Sequence, residues 1–341
     1  MSDGFISGTV FIFASGFCNG VFALPMKYIR KLQWENMWLL TSLAGRILIC
    51  TVTLSVVPEL GQVYSSVSLQ ALFVPIGFGL LLGISQVTYG LGIAAAGTSV
   101  AIAVVSGVSC VFGALIPLLV SHPHDLFHSQ SLSLLASIPL LLLGLVFYSV
   151  AGRRRESEHT TSRGVTVKLS PTASFAICVV TGILGSSINL GFAFSDGILQ
   201  ASIKHGASIS NSTYAVWAPL FAASLIPNLI YTSCLLTRNC TWALFIAPGT
   251  GKESALSVAI AVLSMTAFVG YGIGATAMGS YGTSVGWALF VAATVIVSTV
   301  AGLLMGEWQN TAWRTKRILL GAVAMILAAV GVLDFGGHFR R

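Results

Sequence analysis

Several uncharged polar side chains interrupt long apolar stretches of this sequence, among them Asn19, Gln86, Tyr89, Asn189, Tyr214, Asn228 and Tyr271. Amides and hydroxyls donate and accept hydrogen bonds at adjacent positions, which suits the vicinal hydroxyls of a neutral polyol or sugar. An indole such as Trp217 or Trp287 packs against the apolar face of a sugar ring. With Arg46 these ten residues make the candidate binding set. Each polar member serves equally well as hydrogen-bonding glue between helices. Arg46 stands alone, so a dense cationic pocket for nucleotide phosphates is missing. The sequence has no paired mid-span carboxylates, no GxSxG, no metal-spaced His/Cys set and no phosphate-cradling loop, so it reads as no enzyme and implies no cofactor or metal.

The elements that must position these residues are membrane spans. Hydrophobic residues make up 55% of the 341, charged residues only 8%, and the mean hydropathy is +0.89. Ten runs are long enough to cross about 30 Å of hydrocarbon, at roughly 5–26, 37–57, 70–92, 98–120, 131–151, 172–195, 212–236, 255–277, 283–305 and 316–335. The first lacks the basic leader and small-residue cleavage site of a signal peptide. None alternates as membrane-barrel strands must. The six cysteines form no CxxC pair and read as packing residues. His122, His124 and His128 share one loop, where exposed histidines without Cys or paired acids are expected to be solvated. The tenth run is the plainest and is expected to face lipid or a second copy in a homodimer.

Of the 17 basic residues, thirteen lie in the odd-numbered loops and three on the other side. The positive-inside bias therefore puts the odd loops in the cytoplasm and both termini outside, and leaves no reason to invoke nucleic acid. Trp34 and Trp38 beside the first basic loop read as interfacial anchors. Arg46 lies some nine residues into the second run, about 13 Å deep at the helical rise; it either faces a cavity or snorkels back to the interface. Pro227 before Asn228 marks a candidate kink.

The stretch Ser85–Val100, SQVTYGLGIAAAGTSV, returns about half a chain later as YGIGATAMGSYGTSV over Tyr271–Val285. Such an echo points to two related halves. Five spans per half is odd, so the halves enter the membrane with opposite orientation. The expected fold is all-α, ten transmembrane helices as two inverted five-helix repeats: residues 1–151, a flexible cytoplasmic linker over 152–171, and residues 172–341. Inverted repeats are the usual construction of secondary transporters.

Four stretches stand out beyond composition: Leu24-Pro25-Met26-Lys27 through Trp34-Glu35-Asn36-Met37-Trp38, Tyr64-Ser65-Ser66, Gly83 to Leu91 with Gly97-Thr98-Ser99, and Gly306-Glu307-Trp308-Gln309-Asn310. In these the chain resembles the L-rhamnose–proton symporter family of the drug/metabolite transporter superfamily. The resemblance implies ten spans, termini outside, and proton-driven uptake of a six-carbon deoxy sugar across the bacterial inner membrane. Gln86 stands where the family carries an Asn, and Phe192-Ala193-Phe194 where it tends to carry an amide or acid, so the sugar itself is left open. A proton carrier needs a titratable side chain, and intramembrane acids are the default candidates. Here Asp196, at the outer end of span six, is the first candidate and Glu307, at the inner end of span nine, the second; an interfacial cap or ion-pair role is the alternative for both. An exporter or facilitator of other metabolites, or a receptor that moves nothing, are the competing functions.

Overall fold

The computed structural model describes residues 2–158 and 170–338. Arg163, Lys168, Arg340 and Arg341 lie outside the described residues. Thirteen α-helices follow in order: α1 (Ser2–Val21), α2 (Trp34–Val56), α3 (Leu60–Ser66), α4 (Leu69–Ala96), α5 (Thr98–Ser121), α6 (Ser129–Glu158), α7 (Pro171–Gly185), α8 (Ser187–Ala193), α9 (Asp196–Lys204), α10 (Ile209–Arg238), α11 (Gly251–Met278), α12 (Gly282–Leu304) and α13 (Trp313–His338). No strand occurs among the described residues. Among the described residues ten segments are long and apolar enough to span a membrane, and the protein is a multi-pass membrane protein. Span six is the composite of α7, α8 and α9.

Local chemistry sets the helix ends. The Ser68 and Ser208 side chains accept from the backbone N–H groups of Ala71 and Asn211, capping α4 and α10. Gly97, at φ +84°, ends α4 and turns the chain straight into α5. Span six breaks at Ser186, where the Ser186 and Ser187 hydroxyls donate back to the Ile183 and Leu184 carbonyls at 2.7 and 2.5 Å. These bonds compete with the helical ladder and ease its interruption. By contrast α10 is assigned unbroken from Ile209 to Arg238, with Pro219 and Pro227 inside it. The helix of span five continues through Arg153–Arg155 to Glu158, so the first part of the expected linker is helical.

Small residues bring backbones together where lipid provides no hydrophobic drive. A Cβ placed on Gly79 would lie 2.2 Å from the Leu220 carbonyl oxygen, and one on Gly83 2.5 Å from that of Ser224. The GxxxG stripe of α4 therefore sits directly on α10. Gly8, Gly16 and Gly20 seat α1 equally tightly against α11 and α12. Further packing joins α2 to α10 and α11, α7 to α4 and α5, α5 to α12, and α6 to α13. The tenth span buries Ala322, Ile326 and Ala329, with Ile326 close against Gly144 of α6, while Leu320 and Leu327 stay exposed.

Acids at the basic ends of the helices bind the loops. The Glu253 carboxylate accepts from the backbone N–H groups of Arg30, Lys31 and Leu32, and Glu35 from the Asn239 and Thr241 side chains. Glu156 caps α5 through Ser99, and Glu158 meets Ala312 and Thr315 at the start of α13.

Candidate functional site

The contact between α4 and α10 places Gln86 beside Asn228, and α2 adds Arg46. Arg46 Nη2 donates to Gln86 Oε1 and to Ser224 Oγ, each at 3.0 Å. Asn228 Nδ2 donates to the same Gln86 oxygen at 2.7 Å and to the Ser224 carbonyl at 2.8 Å. Trp38 Nε1 closes the chain by donating to Asn228 Oδ1 at 2.8 Å. Arg46 is only 6% exposed, and its guanidinium carbon lies 5.8 Å from the Phe221 ring centroid. It therefore faces inward and does not snorkel. Trp38 stacks on Trp34 at 5.7 Å, and Trp34 meets Tyr231 edge-on. Trp38 thus serves as an inner partner of Asn228 as well as a residue of the boundary. Trp38, Ser42 and Arg46 recur every four residues and share a helix face, which is the signal that would have linked Trp38 to the site.

A second cluster sits at the break in span six. Asn189 Nδ2 donates to the Gly113 carbonyl at 2.7 Å and the Thr283 carbonyl at 2.9 Å, and Tyr271 donates its hydroxyl to Asn189 Oδ1. Trp287 Nε1 donates to the Ser109 carbonyl at 3.0 Å. Trp217 stacks between Phe192, at 4.7 Å, and Phe221, at 5.5 Å; Trp287 stacks on Phe290. Both indoles are buried in this conformation, packed by neighbouring aromatics. Phe221 connects the two clusters, since it meets Arg46 on one side and Trp217 on the other.

The remaining candidates lie apart. Asn19 donates to Thr294 Oγ1 at 3.2 Å and ties α1 to α12. Tyr214 lines a largely apolar cavity of about 520 Å³ with Ser15, Cys18 and Thr266. Tyr89 lies near Tyr148 and Cys178, away from the partners of Gln86. Asp196 is exposed in the first turn of α9 and accepts from Gln200 at 3.3 Å. His122 and His128 both meet Asp125, and His122 stacks on Tyr281 at 4.6 Å.

The family described as L-rhamnose-proton symport protein matches residues 1–336. The chain belongs to that family. It is 22% identical over 318 residues to an L-rhamnose-proton symporter of Shigella sonnei (strain Ss046), covering 90% of this chain and 91% of that protein. It is 21% identical over 341 residues to one of Yersinia pestis (strain Pestoides F), covering 96% and 97%. Members of this symporter family are transporters and not enzymes.

Within this family member, Glu307 is an ion-pair residue. Its carboxylate meets Lys27 and, at 2.9 Å, Arg155, whose guanidinium lies 4.8 Å from the Trp308 ring centroid. Burial pushes the Glu307 carboxyl up, but the hydrogen bonds and charges of Lys27 and Arg155 outweigh it and hold it below the usual carboxylate range. A depressed folded-state value means the stabilisation is complete above the ordinary carboxylate pKa and is lost as pH falls through the depressed one. Glu307→Gln is therefore expected to lower the melting temperature in detergent by about 2 °C at neutral pH, the pair being partly exposed. The deficit should be constant from about pH 5 to 8 and shrink only below about pH 4. Thermal unfolding across pH checks this; a deficit already vanishing at pH 6 would contradict it.

Proposed function

We propose that this protein is a bacterial inner-membrane secondary transporter that imports L-rhamnose or a related neutral monosaccharide together with protons. The carrying observation is the hydrogen-bonded set of buried Arg46 and Asn228 with half-buried Gln86, formed where spans two and three meet span seven. It unites side chains from both halves of the chain, as a site that opens alternately to the two sides requires. The Gln86 amide hydrogens, which bond no group among the described residues, and the ring surfaces of Trp34 and Trp38 suit a hydroxylated, partly apolar ring.

The same reading includes two inverted repeats, residues 1–151 and 172–341, in the drug/metabolite transporter superfamily, with both termini outside. Packing supports it. Span one packs on spans eight and nine as span six packs on three and four, and span two packs on eight as span seven packs on three. Each pair is its counterpart shifted by five spans. Asp196 is proposed first for proton binding and Glu307 second; the ion-paired Glu307 corresponds to a proton-released state.

The test is uptake by proteoliposomes. L-rhamnose uptake is expected to saturate and to rise several-fold under an inward proton gradient. Uptake indifferent to collapse of the gradient would remove symport, and no saturable flux with any monosaccharide would remove the transport reading.

A further inference from the structure

The polar set around Arg46 is unbalanced in charge and in hydrogen-bonding capacity. Arg46 is buried at mid-helix in α2, where an isolated cation is costly and normally paired. Among the described residues it joins no ion pair; both protein groups it bonds, Gln86 and Ser224, are neutral. Its Nε is buried with no hydrogen-bond partner.

The acceptors of the set are already engaged. Gln86 Oε1 takes two hydrogen bonds, Asn228 Oδ1 takes one from Trp38, and Ser224 Oγ takes one from Arg46. Asn228 Oδ1 keeps one lone pair, but the rest of the spare capacity among the described residues consists of donors, the Arg46 Nε–H and the Gln86 amide NH2, together with one full positive charge. A neutral hydroxyl satisfies such donors but leaves the charge. A carboxylate satisfies both, because it is acceptor-only, planar and matched to the fork of a guanidinium. A phosphate would call for more than one cation, and among the described residues no second basic side chain bonds to this set.

We propose that Arg46 is a carboxylate-binding group and that the preferred cargo is a sugar acid, a monosaccharide bearing one carboxylate. This rests on the transport reading above and departs from it in one respect, the charge of the preferred cargo. The ring hydroxyls lie toward Gln86 and Asn228, and the carboxylate cancels the Arg46 charge, so the loaded site crosses between its two open forms without a net buried charge.

The experiment measures ligand affinity of the purified full chain by thermal shift in chloride-free buffer. The probes are D-galacturonate, D-glucuronate and L-rhamnonate, each against its neutral partner, D-galactose, D-glucose or L-rhamnose. In the unaltered protein at least one acid is expected to bind about 100-fold tighter than its partner, roughly the 3 kcal/mol of one charge-assisted pair. Arg46→Lys should retain a preference for the acid, and Arg46→Gln should bring the ratio to about one. Neutral sugars binding as well as or better than every acid in the unaltered protein overturns the proposal and leaves the transport reading intact. Stabilisation by chloride or sulfate equal to that by the acids also overturns it. Binding of neither class removes both.

Discussion

Gln86→Glu is expected to raise the melting temperature of the purified protein while abolishing uptake, and Gln86→Ala to lower both. The side chains of Gln and Glu have the same shape, and the Gln86 oxygen already accepts from Arg46 and Asn228, so glutamate keeps both bonds. Among the described residues the amide NH2 that glutamate gives up makes no hydrogen bond, so the exchange breaks none. The exchange turns a charge-to-neutral bond into an ion pair in a buried setting, a gain of about 1–3 kcal/mol, or a rise of several degrees. The tethered carboxylate also fills the place of the cargo's charge, so flux should fall at least 100-fold. Alanine removes the acceptor shared by Arg46 and Asn228 and leaves the buried guanidinium with Ser224 alone, which costs about 3 kcal/mol or more. Thermal unfolding and proteoliposome uptake of the two variants check this together. A glutamate variant less stable than the alanine variant would mean that Arg46 already has a counter-charge.

Ten spans were legible because about 20 apolar residues in a row is a one-dimensional signal that packing does not alter. The polar members of the first cluster, Arg46, Gln86 and Asn228, were legible for the converse reason: a polar group in a span must find a partner. Which partners they find depends on helix rotation, and that was not legible. Gln86 and Tyr89 are one turn apart, but α4 is clasped by α10 on one side and α7 on the other, so the two side chains join different neighbours. Trp217 and Trp287 offered ring faces in the sequence, yet Phe192, Phe221 and Phe290 occupy them. The break in span six was hidden because Ser186 and Ser187 lie in an otherwise apolar run, and serine is tolerated in a continuous membrane helix as readily as at an interruption. Glu307 was placed at a span end, but its partners, Lys27 and Arg155, come from the ends of spans one and five and converge only in the fold.

That break is where the second large effect is expected. Asn189→Leu should cost about 3–5 kcal/mol and reduce the yield of folded protein, whereas Tyr271→Phe should cost about 1 kcal/mol. Asn189 alone holds three elements: its NH2 group donates to Gly113 O on α5 and Thr283 O on α12, and its oxygen accepts from Tyr271 on α11. Leucine takes a bond from two buried carbonyls, at about 1–3 kcal/mol each, and leaves the buried Tyr271 hydroxyl with only a long bond to the Thr283 carbonyl, at 3.4 Å. Phenylalanine at position 271 leaves only the Asn189 oxygen unpaired and keeps the ring against Trp287 and Phe290. The two losses share a partner, so the double variant should cost less than the sum of the singles. Asn189→Asp discriminates further. As a neutral acid it keeps one donor for the two carbonyls, but ionised it points negative charge at both, so its melting temperature should fall as pH rises from about 5 to 8 while that of the unaltered protein stays level. A flat pH profile for that variant would mean that position 189 reaches water, and α8 would then line an open path across the membrane instead of the packed junction between the two halves.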